Sequence, residues 1–320
     1  MALRIAVQMD PIENINIAGD SSFALMLAAQ ERGHEVFEYQ VESLTLDAND
    51  RLFAMATPVT VRPVEGDHFE RGEAVRLDLG ADIDVILMRQ DPPFHMGYIT
   101  ATHMLERIGR ETLVVNDPAS VRNAPEKVMV LDYRRFMPPT LVTRSVDEVR
   151  RFMAQHGAVV VKPIHGNGGK AIFRVPESGD NLTALFEVFN QTWPEPHMVQ
   201  PFLPEVATGD KRIVLVDGEI AGAINRIPGE GEFRSNLAMG GSAERTELTE
   251  REREICAAMG PDLKCRGLTF VGIDVIGGKW LTEINVTSPT GIVGISRFDG
   301  VDVPGMIWDA IEERVAARAR

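Results

Sequence analysis

Residues 270–286, FVGIDVIGGKWLTEINV, decide how the second half of the chain is read. Two apolar, β-branched runs flank Gly277-Gly278, a pair that turns a hairpin at little steric cost. If the two glycines alone make the turn, Asp274 pairs with Leu281, and Asp274, Glu283 and Asn285 share one face of the sheet. Carboxylates that close repel unless a proton or a cation intervenes. Hard oxygen donors in that number suit Mg²⁺, completed by water and substrate phosphates. The opposing reading is two solvated carboxylates on an open face. Against it stand Val271, Ile273, Val275, Ile284 and Val286, which crowd both faces.

Working outward, two more hairpins repeat this grammar. AVVVKP (158–163) and AIFRV (171–175) flank HGNGGK (165–170), while RIVLV (212–216) and EIAGAIN (219–225) flank Asp217-Gly218. Three hairpins mean antiparallel sheet, so this half is α+β, in two small lobes. The first 120 or so residues alternate differently. A strand through Ile5 and Val7 precedes a helix capped by Asp20 or Ser21 and ended at Gly33; a strand starts near Val36. The apolar run 84–90, a helix through Met104 and Leu105, and the strand LVV (113–115) complete the rhythm of a parallel α/β sheet. Ligands of such sheets sit beyond the strands' carboxyl ends, where MDP (9–11) and RQDPPF (89–94) fall. The expected division is therefore 1–122, 123–200 and 201–320.

HGNGGK is neither of the two familiar glycine loops. Ile164 stands where a Walker loop needs its first glycine and Ala171 where it needs Ser or Thr, and a dinucleotide fingerprint joins a strand to a helix rather than two strands. What remains is a hairpin loop in which Gly166, Gly168 and Gly169 let backbone amides approach a phosphate, or a merely mobile tip. Lys162 ends the run AVVV, where an ammonium is costly to bury unless it meets an anion. With 33 Lys and Arg against 47 Asp and Glu, the net charge of -14 opposes nucleic-acid and anionic-membrane partners. Against that background Lys127, Lys162, Lys170, Arg212, Arg226 and Arg234 gather beside strand ends and glycine loops, which suggests a polyphosphate cradle.

Residues 227–243, IPGEGEFRSNLAMGGSA, form a long glycine-bearing stretch that reads as a lid or as a solvated linker. The two cysteines, Cys256 and Cys265, give no disulfide framework or zinc spacing, and no run approaches ~18 uncharged apolar residues, so the expected setting is a reducing cytoplasm. GxSxG, HExxH and a recognisable Cys/His pairing are absent. Phosphate cradle, metal carboxylates and lid together specify ATP chemistry by positioning and charge neutralisation. A substrate carboxylate can attack the γ-phosphate, and an amine can then displace the phosphate.

MDPIENINIAGDSSFALMLAAQ, VILMRQDPPF, VVKPIHGNGGKAIFRV, GDKRIVLVDGE, RIPGEGEFRSNLAMGG and LTEINVTSPTGI resemble prokaryotic glutathione synthetase, an ATP-grasp ligase family, over nearly the whole chain. The resemblance implies an ATP-grasp fold behind a parallel-sheet α/β (pre-ATP-grasp) domain. It implies joining γ-glutamylcysteine to glycine, with ATP as co-substrate, through an acyl phosphate.

By the same likeness Lys127 and Lys162 bind ATP phosphates, Gly166, Gly168 and Gly169 belong to the small loop over them, Gln200, Pro201, Phe202 and Leu203 are the adenine linker, and Asp210 lies near the ribose. Asp274, Glu283 and Asn285 match ligands of Mg²⁺, with Mn²⁺ as the alternative; one residue more separates Asp274 from Glu283 than the family pattern has. Arg212 and Arg226 match arginines facing the reacting phosphate, and 227–242 matches the large lid. Arg89, Arg234, Asn236, Ser288 and Thr290 are substrate-contact candidates, with a structural role equally open for Arg89, Ser288 and Thr290. A homotetramer is implied by the likeness alone. The competing readings are another ATP-grasp ligase, for D-alanine or for glutamate addition, and a noncatalytic ATP-binding regulator.

Overall fold

In the computed structural model, which describes residues 2–166, 168–235 and 240–318, β1 (Arg4–Gln8) and α1 (Ser21–Glu31) lead into β2 (Glu35–Tyr39). Then come β3 (Thr45–Leu46), β4 (Leu52–Val61), β5 (Phe69–Arg71), β6 (Val75–Asp78), β7 (Val85–Met88), α2 (Met96–Glu106), β8 (Leu113–Val115) and α3 (Pro118–Arg122). Asp20 caps α1, accepting from the Phe23 amide at 2.7 Å, and Gly33 leaves it with φ 79°. The run β2-β1-β7-β8 is parallel, as the alternation predicts. The sheet as a whole is mixed, which corrects the expectation of a purely parallel one: β4 lies antiparallel to β2 and carries β3, β5 and β6. The links among these strands are too short for the crossover that parallel neighbours need.

The next lobe consists of β9 (Leu141–Thr143), α4 (Val146–His156), β10 (Val159–Pro163), β11 (Phe173–Val175), α5 (Leu182–Thr192) and β12 (His197–Pro201). Its antiparallel sheet runs β11-β10-β12-β9, so the expected hairpin around HGNGGK is joined by two strands the hairpin grammar does not mark. Val149, Val161, Phe186 and Phe189 fill the core under its two helices.

The last lobe has β13 (Asp210–Val216), β14 (Glu219–Ile227), β15 (Ser242–Arg245), α6 (Glu250–Cys265), β16 (Phe270–Ile276), β17 (Trp280–Asn285), α7 (Ile292–Asp299) and α8 (Val303–Arg318), with sheet order β15-β14-β13-β16-β17. α6 opens with a reciprocal cap between Thr249 and Glu252. The β16–β17 register corrects the expected pairing of Asp274 with Leu281. Ile276 pairs with Trp280 and Val275 with Leu281; Thr282 then bulges, and Asp274 faces Glu283. A three-residue turn plus one bulge absorbs the additional residue, and the two carboxylates end up directly opposite rather than diagonal.

Asn116, just past β8, rivets the first sheet to this hairpin. Its Nδ2 donates to the Phe270 carbonyl at 2.7 Å and the Val286 carbonyl at 2.8 Å, and its Oδ1 accepts from the Phe270 amide at 2.8 Å. α8 packs back on α1, where the fully buried Trp308 donates to the Leu25 carbonyl at 2.8 Å. Among the described residues no helix is long and apolar enough to cross a membrane.

Candidate active site

A cleft of about 660 Å³, its open mouth included, lies between the β10–β12 sheet and the β13–β17 sheet. One wall is apolar, with Val160, Ile172, Phe202, Val206, Phe233 and Ile276; the far end is charged, with Lys162, Asp210, Asp274 and Glu283. That division suits a flat heterocycle at one end and phosphates at the other. Gln200 to Leu203 line the apolar end. Gln200 Nε2 donates to Thr140 Oγ1 at 2.9 Å, Pro201 has no N–H, and the Phe202 amide is taken by the Ala158 carbonyl at 2.8 Å. The Leu203 amide finds no acceptor among the described residues, which leaves it as the linker's donor.

At the charged end every strand-borne cation faces an acid of the protein itself. Arg212 forks onto Asp274, Nε at 2.6 Å and Nη2 at 3.1 Å. Arg226 reaches Asp210 through Nε at 2.6 Å and Asp274 through Nη2 at 3.0 Å. Lys127 Nζ lies 3.2 Å and Lys162 Nζ 3.8 Å from Glu283 Oε1, and Lys127 also donates to the Gly166 carbonyl at 2.5 Å. These side chains are nearly all buried.

Desolvation would raise the Asp274 carboxyl, but Arg212 and Arg226 outweigh it and hold it well below the usual range. Asp210 is pushed upward by burial and by Asp274. Burial lowers Lys162 to about 8, with Lys127 adding to the effect and Glu283 opposing it. For Lys127 burial pulls the same way, yet Glu283 and Glu126 prevail and raise it.

Arg212 owes its place to glycines. A Cβ on Gly272 would come within 3.0 Å of Arg212 Cδ, and one on Gly291 within 3.2 Å of its Cγ. Sequence reading passed over Gly272, whose signal was a glycine inside the apolar strand VGIDVI. Thr290 also joins this arginine: its carbonyl and hydroxyl lie 3.3 and 3.4 Å from Arg212 Nη1.

Lys170, counted with the cradle in the sequence, is exposed and has no ion pair among the described residues. Arg234 pairs with Glu232 and donates to the Gly169 carbonyl at 3.1 Å, tying the large loop to the small one. Asn236 lies outside the described residues.

The donor set suits a hard divalent cation. Asp274 and Glu283 face each other across the strands, and Asn285 uses its nitrogen on the Gly272 carbonyl (3.2 Å) and Asp274 (3.5 Å), which leaves its amide oxygen available to a cation. Among the described residues no group of three or more His, Cys, Asp and Glu is arranged to hold a metal.

On the far side of the β17 exit loop, Arg89 is buried at 6% exposure, donating to Ser22 Oγ at 3.0 Å and the Pro289 carbonyl at 2.9 Å. Burial lowers its pKa, and among the described residues no carboxylate forms an ion pair with it. Ser288 Oγ donates to the Arg89 carbonyl at 3.2 Å, so the two substrate candidates come together at the end of β7. Glu126 was not singled out by the sequence. It is half-buried beside Lys127, and desolvation with the nearby Glu283 pushes its carboxyl up to about 7 against the pull of Lys127.

The profile of the prokaryotic glutathione synthetase N-terminal domain matches residues 3–122, and that of the prokaryotic glutathione synthetase ATP-grasp domain matches residues 126–300. The chain belongs to the prokaryotic glutathione synthetase family. It is 57% identical over 316 residues to the glutathione synthetase of Rhodopseudomonas palustris, covering 99% of this chain and all (100%) of that one. Against the Shewanella oneidensis glutathione synthetase the identity is 45% over 315 residues, covering 98% and 99% of the two chains. Among solved structures, D-cycloserine synthetase DcsG superposes with a TM-score of 0.69 at 18% identity over 97% of this chain and 99% of that one. The RimK domain ATP-grasp protein of Sphaerobacter thermophilus gives 0.64 at 18% identity over 96% and 98%. Those two likenesses establish the ATP-grasp fold. The chain is thus an ATP-grasp ligase, and enzymes of this family use ATP and a divalent metal.

Proposed function

We propose that this chain carries out ATP-dependent glutathione synthesis with the residues gathered at the charged end of the cleft. The observation that carries the reading is the facing pair Asp274 and Glu283, each already matched to two cations, Arg212 and Arg226 for one, Lys127 and Lys162 for the other. A polyphosphate would draw those cations to itself and free the carboxylates. Asp274, Glu283 and Asn285 would then hold Mg²⁺, or Mn²⁺ in its stead, and the bound ion supplies charge neutralisation on the phosphate oxygens.

In this reading Lys127 and Lys162 hold the phosphates under the loop of Gly166, Gly168 and Gly169, while Gln200, Pro201, Phe202 and Leu203 receive the adenine and Asp210 lies toward the ribose. The cysteinyl carboxylate of γ-glutamylcysteine takes the γ-phosphoryl group, with Arg212 and Arg226 against its oxygens, and ADP leaves. The amine of glycine then attacks the acyl carbon, and phosphate departs as the amide forms. Arg226 stabilises the oxyanion of the tetrahedral intermediate. Arg89 receives a substrate carboxylate, with Ser288, Thr290, Arg234 and Asn236 as further contacts.

The same reading divides the chain into a substrate-side unit (1–122), a glycine-loop lobe (123–200) and a lobe with the lid (201–320), and places a homotetramer in the cytoplasm. ADP release with Mg-ATP and γ-glutamylcysteine tests the function, with and without glycine and with D-alanine and glutamate as control acceptors. Glycine-dependent release with glutathione as product is expected. Turnover with another acceptor only would discard the substrate assignment and keep the ligase chemistry.

A further inference from the structure

Between the first sheet and the small glycine loop lies a second set of polar atoms that ATP chemistry leaves unused. Glu126, Thr287 and His165 line a narrow pocket of about 250 Å³, its open mouth included, walled by Phe94, Pro125 and Ile164. Thr287 Oγ1 donates to Glu126 Oε1 at 3.1 Å, and among the described residues no Lys, Arg or His forms an ion pair with that carboxylate. Its backbone is fixed, since the Glu126 carbonyl accepts from the Ile284 amide at 3.1 Å. Tyr98 stands nearby, 1% exposed, with a buried hydroxyl that has no hydrogen-bond partner. The charges of Arg89, Glu126 and Asp91 all act on that hydroxyl. Phe94 bridges the two sides, 5.4 Å from the Tyr98 ring and stacked on His165 at 5.6 Å.

A half-buried carboxylate with one neutral donor, and an orphaned hydroxyl behind the same Phe94 ring and within reach of its charge, make an arrangement short of one cation. An ammonium supplies that charge together with three N–H donors, whereas a thiol or an alkyl group would leave the carboxylate as it is. The site also lies where an acceptor is needed: Glu126 adjoins Lys127, whose ammonium reaches Glu283 at 3.2 Å. We propose that Glu126, assisted by the Tyr98 hydroxyl, docks the ammonium of the acceptor amino acid close to the activated acyl group, where the nitrogen attacks once it has lost a proton to solvent. The proposal rests on the ligase reading above. It makes Glu126 a determinant of acceptor binding, distinct from the phosphate-end residues.

Full-length Glu126→Gln and Tyr98→Phe, assayed at saturating ATP and γ-glutamylcysteine, test it. Losing a charge-assisted contact should raise the glycine KM roughly ten- to hundredfold in Glu126→Gln, and a neutral one a few-fold in Tyr98→Phe. Hydroxylamine, a small amine that is largely neutral near pH 7, provides the second readout by trapping the acyl phosphate as a hydroxamate. The ratio of hydroxamate to glutathione formed should rise in Glu126→Gln by about the factor the glycine KM rises. An unchanged ratio, or a rise in the γ-glutamylcysteine KM in place of the glycine KM, would mean that the cavity holds the acyl substrate or only the fold, and the proposal would be wrong. If Glu126→Gln does not fold, Tyr98→Phe decides by the same two readouts. A wild-type enzyme with no glycine-dependent product would fail the ligase reading instead, and the acceptor that does turn over then takes the place of glycine in the same ratio.

Discussion

An acid sits between two cations at each end of the β13–β14 hairpin, and the ends differ in their surroundings. At the open end Asp274 meets Arg212 and Arg226, with side-chain exposures of 4%, 7% and 6%. At the turn Asp217 meets Lys264 of α6 and Arg314 of α8, with exposures of 20%, 61% and 27%. The ions are of one kind, but the costs are not. Burying the first set carries a desolvation penalty that its attractions only partly offset, so that cluster makes sense as machinery held ready for an incoming anion. The second set stays hydrated, gains little energy and serves as a tie between the turn and two helices.

The largest effects should therefore come from the buried end. Glu283→Ala removes a proposed metal ligand and leaves Lys127 and Lys162 facing each other unpaired; turnover should fall by about a thousandfold or more, measured as ADP release across a Mg²⁺ titration. Wild-type rates would remove Glu283 from the mechanism. Arg226→Ala should cost roughly a hundred- to a thousandfold in kcat, with a much smaller change in ATP affinity by calorimetry. Equal losses in both would make Arg226 a nucleotide-binding residue instead.

A milder break of the same end is Gly272→Ala, which crowds the slot of Arg212 from across the strand. Turnover should drop about tenfold or more while the thermal midpoint moves little, because misplacing one charged group is enough to slow chemistry. An unaltered rate would show that Arg212 does not need the slot.

The smallest effect belongs to the turn. Burial raises the Asp217 carboxyl somewhat, but Lys264 and Arg314 prevail and hold it below its ordinary value. Its folded pKa thus lies below its unfolded one, so its stabilisation is present above the unfolded value and is lost as pH falls through the folded one. Asp217→Asn should cost about 1 kcal/mol near neutral pH by denaturant titration, and the gap to wild type should close in acid. A pH-independent difference would locate the effect in turn geometry instead.

What the sequence made legible follows from these physics. Tight glycine turns between β-branched runs marked all three hairpins, and alternation on the strand put Asp274, Glu283 and Asn285 on one face. β3, β5 and β6 escaped because they run for only two, three and four residues, and the ten-residue β4 because Pro58 interrupts its run. The partner of Asp274 escaped by two residues, one from the three-residue turn and one from the bulge at Thr282, and neither leaves a mark in the sequence. Lys162 announced itself as an ammonium after four apolar residues. Glu126 could not, since a glutamate beside a lysine looks like any surface pair until the fold brings Thr287 alongside it.

Asn116 bears on how such an enzyme can change over evolutionary time. Its side chain matches two carbonyls and one amide at Phe270 and Val286, the outer ends of the β16–β17 hairpin. The first sheet and the β13–β17 sheet are in this sense lock and key, and a hybrid made by exchanging residues 1–122 between distant relatives would have to inherit both halves of that fit. New acceptor or donor preferences are then reached more readily by altering loops at the ends of β1 and β7 than by trading whole modules.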